Sequence, residues 1–165
     1  MNSVVVSLGS NLNDPLKQLA VALEYMREEF TSLQVSSFYL TDPVGGPDQP
    51  DFVNACALFE TQLSPAQLLT KLQQIEAASG RTRDGRRNEP RSLDIDIILY
   101  ADLVLDEPDI TLPHPRFRKR RFVLEPLAEI GPHLTDPVSG KTILELLQHC
   151  PDSHRVERIE TELSA

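Results

Sequence analysis

The sequence predicts an α+β fold: an antiparallel sheet with helices on one face, followed by a C-terminal hairpin and further helices. Two observations lead there. Apolar periodicity runs strand, helix, strand, strand, helix, strand over the first hundred residues, the split βαβ order that builds such a sheet. In addition, 165 residues with 40% apolar content suit one domain, residues 1–165, around one core.

Each element has its own local reason. Val4 to Leu8 is a short β-branched run ended by Gly9-Ser10-Asn11, hence a buried first strand. Asp14 is an N-cap and Pro15 the first helical residue; Leu16, Leu19, Ala20, Leu23, Met26 and Phe30 follow at helical spacing. Leu33 to Leu40 reads as a second strand. The next eleven residues, Thr41 to Asp51, hold three prolines and two glycines and exclude regular structure. Phe52 to Glu60 is a third strand. Ser64-Pro65-Ala66-Gln67 is a capping box opening a helix that buries Leu68, Leu69, Leu72 and Ile75 and ends near Gly80. Residues 81–91 are a polar, Arg-rich loop. Leu93 to Tyr100 is the strongest strand pattern. Leu103 to Leu105 pairs with Ile110 to Leu112 as a hairpin. Phe122 to Ile130 has helical spacing, with Pro126 expected to break it, and Thr142 to His149 is a last helix.

Composition narrows the function. The formal net charge is -9, which disfavours nucleic acids and anionic membranes as partners. Few aromatics are available for base stacking, and no apolar run approaches the length of a membrane span. Cys56 and Cys150 are too few and too far apart for a disulfide framework. The expectation is a cytoplasmic monomer. The basic residues are nevertheless concentrated: ten of the 16 Lys and Arg lie between Arg81 and Arg121.

Inside that basic span sits Asp94-Ile95-Asp96. Side chains alternate along a strand, so Leu93, Ile95, Ile97 and Leu99 share the core face while Asp94 and Asp96 share the other, about 7 Å apart at the backbone. An isolated pair of this kind is also read as two solvated residues on an open sheet face. Five arginines before it and Arg116 to Arg121 after it favour a magnesium–nucleoside polyphosphate site instead. There carboxylates hold the metal and guanidinium groups take phosphate oxygens. Structural ion pairs are the alternative. No Gly-Lys-Ser/Thr phosphate loop and no Gly-x-Ser-x-Gly elbow occurs. His149 and His154, with Cys150 between them, lack the second nearby cysteine that a zinc site would use. Nothing marks a covalent nucleophile, so direct transfer between two bound substrates is favoured.

Together these segments resemble the pyrophosphokinase family of folate biosynthesis, from about Val4 to about Leu147. The resemblance is carried by Gly9-Ser10-Asn11, by Ser37-Phe38-Tyr39 with Thr41-x-Pro43-x-Gly45, and by Gln49-Pro50-x-Phe52-x-Asn54. Pro90-Arg91-x-x-Asp94-Ile95-Asp96-Ile97-Ile98, Pro113-His114-Pro115 and Arg120-x-Phe122-Val123-Leu124-x-Pro126-Leu127 complete it. It implies a ferredoxin-like βαββαβ fold, ATP as co-substrate, two Mg2+ ions and 6-hydroxymethyl-7,8-dihydropterin as acceptor. Arg81, Arg91, Asp94 and Asp96 would be catalytic, the two aspartates holding metal. Gln73, Glu76, Arg83, Ile97, Thr111, His114 and Arg120 would bind ATP. Thr41, Pro43, Val44, Phe52, Asn54, Asp94 and Phe122 would bind the pterin. Phe52 and Phe122 can sandwich a flat bicycle, stacking adding roughly 0.5–1.5 kcal/mol, and Asn54 offers donor and acceptor to its amide edge. The chain departs from many members at Asn88-Glu89, where they have Trp and a small residue, and at Phe52, where Tyr is frequent.

The implied reaction is attack of the pterin hydroxymethyl oxygen on the β-phosphorus of ATP, with AMP leaving. Two other classes stay open at this level: a small-molecule-binding regulatory module on the same fold, and an ordinary kinase releasing ADP.

Overall fold

A computed structural model describes residues 1–12, 14–43, 50–80 and 93–160 of the chain. Its first strand, β1 (Asn2–Ser10), is followed by α1 (Pro15–Glu29), β2 (Thr31–Val35), β3 (Phe38–Thr41), β4 (Phe52–Thr61), α2 (Pro65–Gly80) and β5 (Asp94–Tyr100). A short hairpin of β6 (Leu105–Asp106) and β7 (Thr111–Leu112), a 3-10 turn at Phe117–Lys119, α3 (Arg121–Ile130), α4 (Ile143–Gln148) and β8 (Val156–Ile159) complete it. The main sheet has the order β5-β1-β4-β3-β8, with β2 also on β4, and every pairing is antiparallel. β1 therefore lies between β4 and β5, which α2 connects, and β4 lies between β1 and β2, which α1 connects.

The helix starts are those the sequence specifies. Asp14, in the left-handed region at φ 62, accepts the Lys17 N–H, and Pro15 opens α1. Ser64 and Gln67 cap α2 reciprocally, at 2.9 and 3.2 Å. Thr142 and Glu145 form a second capping box at α4. α2 extends to Gly80, and the cap beyond it falls outside the described residues.

Four features depart from the sequence expectation. The single strand expected at 33–40 is two strands, because Ser36 takes over part of the ladder: its hydroxyl accepts the Cys56 N–H at 2.9 Å while its own N–H donates to the Cys56 carbonyl at 2.9 Å. Side-chain bonding that competes with the ladder in this way interrupts regular pairing. α3 runs through Pro126 without a break. A proline there removes one backbone donor, and burial of Val123, Leu124 and Leu127 outweighs that loss. β8, absent from the sequence reading, extends the sheet beyond β3.

The fourth departure lies in β5. Val5 pairs with Leu99 but Val6 with Ile97, leaving Ile98 as an extra residue, a bulge. Alternation resets there. Leu93, Ile95, Ile97 and Tyr100 face the core under α1 and α2, whereas Leu99 joins Ile98 on the opposite face, not the Ile95 face. On that opposite face Val5, Cys56, Ile98 and Leu99 pack under Val123, Leu124 and Leu127 of α3 and Ile143 of α4. The helices of the βαβ units thus share one face as expected, and the C-terminal helices cover part of the other.

Candidate active site

The uncovered part of that second face is the candidate site. Its strand positions turn polar where the C-terminal helices stop: Ser7 and Gly9 on β1, Asn54 on β4, Asp94 and Asp96 on β5. The strand register sets Ser7 against Asp96 and Gly9 against both Asn54 and Asp94. These five residues line a cleft of about 240 Å³ together with Thr41 and Asp42 at the end of β3 and Phe52 on β4. Arg120 and Phe122, at the start of α3, close it from the other side. Two aromatic rings therefore wall a cleft whose floor is small and polar.

Gly9 makes room for Asn54: a Cβ at Gly9 would lie 2.4 Å from the Asn54 Oδ1. Asn54 is almost fully buried, and its Nδ2 donates to the Thr41 hydroxyl at 2.6 Å. The amide is thereby oriented before any ligand binds.

A second hollow of about 240 Å³ adjoins the first. Leu69, Ile95, Ile97, Ile110 and Leu112 give it apolar walls, and Asp109, Thr111, His114 and Asp96 give it polar edges. Asp96 lines both hollows. Burial pushes the Asp96 carboxyl above its ordinary value, and the Arg120 guanidinium partly offsets this. Burial in turn lowers Arg120, whose guanidinium sits 5.6 Å from the Phe122 ring centre. His114 is lowered to about 4 by burial, then by Arg120 and Arg116. Its Nδ1 accepts the Arg116 N–H at 3.1 Å, so the neutral ring carries its proton on Nε2. The His114 N–H donates to the Ile98 carbonyl at 2.9 Å, which ties the second hollow's rim to the bulge in β5.

The structure gathers most of the residues singled out from sequence. Thr41, Phe52, Asn54, Asp94 and Phe122 line the first hollow, and Ile97, Thr111 and His114 the second. Four of the residues singled out sit elsewhere than the second hollow or the cleft alone would suggest. Arg120, expected at the nucleotide, lines the first hollow, on the side of Asp96. Gln73 is an exposed residue of α2 and lines neither hollow, since its position on the helix turns outward. Glu76 also lines neither: its carboxylate accepts the Ile95 N–H at 2.8 Å, fastening α2 to the strand between the two aspartates. Pro43 is described but lines neither hollow. Val44, Arg81, Arg83 and Arg91, with Asn88 and Glu89, lie outside the described residues. Sequence reasoning missed Ser7, Asp42 and Asp109. Alternation along β1 carries the signal for Ser7, two residues before Gly9; the other two sit in loops whose placement no periodicity encodes.

The cleft and the hollow beside it meet at Asp96, and the sequence model of 7,8-dihydro-6-hydroxymethylpterin-pyrophosphokinase (HPPK) matches residues 5–132. The chain belongs to the HPPK family. Among its relatives is the 2-amino-4-hydroxy-6-hydroxymethyldihydropteridine pyrophosphokinase of Pseudomonas aeruginosa, 45% identical over 150 residues, covering 90% of this chain and 91% of that one. The enzyme of the same name from Haemophilus influenzae is 42% identical over 159 residues, covering 95% and 98%. Among solved structures, HPPK-DHPS of Plasmodium falciparum superposes with a TM-score of 0.73 at 16% identity over 89% of this chain. That match spans 45% of the longer protein and, at this identity, speaks for the fold. This chain has a mixed α/β fold with an antiparallel sheet, and among the described residues no helix is long and apolar enough to cross a membrane.

Proposed function

We infer that residues 1–165 act as a single domain that transfers the pyrophosphoryl group of ATP to the hydroxymethyl group of 6-hydroxymethyl-7,8-dihydropterin, a step of folate biosynthesis. The observation that carries the site assignment is the position of Asp96, shared by the aromatic-walled cleft and the apolar hollow beside it. The pterin occupies the cleft between Phe52 and Phe122, its amide edge read by the pre-oriented Asn54. The adenine end of ATP lies in the hollow lined by Ile97 and Thr111. The polyphosphate then passes Asp96 toward the pterin. The split strand order supports assignment to the ferredoxin-like class.

The donor set of Asp94 and Asp96 fits magnesium. Both are hard oxygen donors on one strand face and open to the cleft, leaving positions for phosphate oxygens and water. Burial raises the Asp96 carboxyl, a cost that a cation offsets. Two Mg2+ ions entering with ATP would be held by this pair and would neutralise charge on the phosphate oxygens. The remaining contributions come from the chain. Asn54, Phe52 and Phe122 orient the pterin so that its hydroxymethyl oxygen faces the β-phosphorus. Arg120 and the Nε2–H of His114 donate to phosphate oxygens, and Arg81, Arg83 and Arg91 complete that set. A bond forms between the hydroxymethyl oxygen and the β-phosphorus, the bond from that phosphorus to the bridging oxygen of AMP breaks, and the hydroxyl proton is lost. Alignment and electrostatics account for the acceleration. The protein acts in the cytoplasm as a monomer.

Product analysis tests this directly. Protein, ATP, magnesium and 6-hydroxymethyl-7,8-dihydropterin should yield AMP and a pterin diphosphate, dependent on the pterin. ADP in place of AMP, or no pterin-dependent product, overturns the reading.

A further inference from the structure

The family match ends at residue 132, yet residues 150–159 touch both walls of the pterin cleft. β8 pairs with β3 so that Val156 stands opposite Thr41, which brings Arg155 beside Asp42. The two residues bond both ways around that contact: the Arg155 backbone N–H donates to the Asp42 carboxylate at 3.1 Å and the Asp42 backbone N–H to the Arg155 carbonyl at 3.3 Å. The Arg155 Nε lies 3.2 Å from the other Asp42 oxygen, its Nη2 donates to Asp51, and its Nη1 lies 3.8 Å from the Glu157 carboxylate on β8 itself. On the far wall, the Asp152 carboxylate accepts the Arg121 N–H at 3.0 Å, capping α3 one residue before Phe122.

Asp42 and Asp51 flank the paired residues Thr41 and Phe52, both of which line the cleft. Two carboxylates side by side at the open end of a strand pair repel each other, and Arg155 stands between them. We propose that Arg155 is a positioning residue for the pterin: by neutralising Asp42 and Asp51 together, it keeps Thr41 and Phe52 in register to receive the bicycle. This rests on the pterin assignment above. A single exposed ion pair contributes little, but a guanidinium that bridges the two carboxylates flanking Thr41 and Phe52 acts on geometry, where a small displacement is costly.

The test is equilibrium binding of 6-hydroxymethyl-7,8-dihydropterin, with a non-hydrolysable ATP analogue present, to the full-length chain. Arg155→Ala should weaken pterin binding about tenfold while changing the analogue's own affinity less than about twofold. Adding Asp51→Asn to Arg155→Ala should restore most of the pterin affinity, because it removes the repulsion, and raised salt should do so partly by screening. Unchanged pterin affinity in Arg155→Ala overturns the proposal. So does equal weakening of both ligands, or failure of the second substitution to rescue, each of which would mean that β8 only holds the fold together. Wild-type protein that binds no pterin would overturn the functional reading itself, and the positioning role with it.

Discussion

Gly9 lies directly across β1 and β4 from Asn54, and a single methyl group at Gly9 would meet the Asn54 Oδ1 at 2.4 Å. The relationship is steric and local. Asn54 is held from its other side by Thr41 at 2.6 Å, so it cannot move aside without giving up that bond. Gly9→Ala should therefore misplace the amide that reads the pterin. The expected result is a pterin KM raised about tenfold, as for a misplaced binding group, with the KM for ATP nearly unchanged. Steady-state kinetics with each substrate varied in turn would check it.

Asp94 and Asp96 share one strand face and open to the same cleft. Replacing either by Ala should lower turnover at least about 100-fold, close to 2.7 kcal/mol of transition-state stabilisation. Magnesium-dependent turnover within about threefold of the wild type would remove that residue from the metal-holding role.

His114 stays neutral in the folded chain well below its ordinary range, because burial and then Arg120 and Arg116 disfavour its charged form. Its folded pKa is about 4 against an ordinary 6.5. Between those values the unfolded chain binds the extra proton and the folded chain does not, so His114 lowers stability as pH falls from 6.5 toward 4. Thermal unfolding of His114→Gln should show a shallower loss over that window than the wild type. Parallel curves would refute the assignment.

Asp136 is fully buried and accepts from Arg118, Ser139 and the Val138 N–H. Despite the cost of burial, these bonds hold its carboxyl below the ordinary carboxylate range. Its contribution is present above that range and is lost as pH falls through the lower folded value. Asp136→Ala leaves the partly buried Arg118 without its partner and should destabilise by about 3 kcal/mol, measured by urea unfolding at neutral pH. The same comparison near pH 2 should give a much smaller difference.

Much of the site was legible because it follows local rules. Asp94 and Asp96 could be placed on one face from alternation alone, and Asp14, Ser64 and Thr142 announced their helices by capping chemistry. The resemblance implies a nucleotide contact for Glu76, and the structure sets its carboxylate on the Ile95 N–H. Periodicity cannot tell which neighbour a half-buried carboxylate meets. Leu99 was misplaced for a related reason: strict alternation assumes an unbroken ladder, and the extra residue at Ile98 arises from register against Val5 and Val6.

The sequence by itself determined the alternation of strands and helices up to β5, apart from the split at Ser36, and the paired carboxylates and the chemistry they suit, because these depend on periods of two and 3.6 residues and on caps within a turn. Tertiary structure alone decided that Gly9, Asn54, Asp96 and Phe122 would meet, and that residues as late as Asp152 and Arg155 would bind both walls of the cleft. Those contacts join residues 26 or more positions apart. They are fixed by which strands pair and which face the C-terminal helices leave open, and no local pattern carries that information.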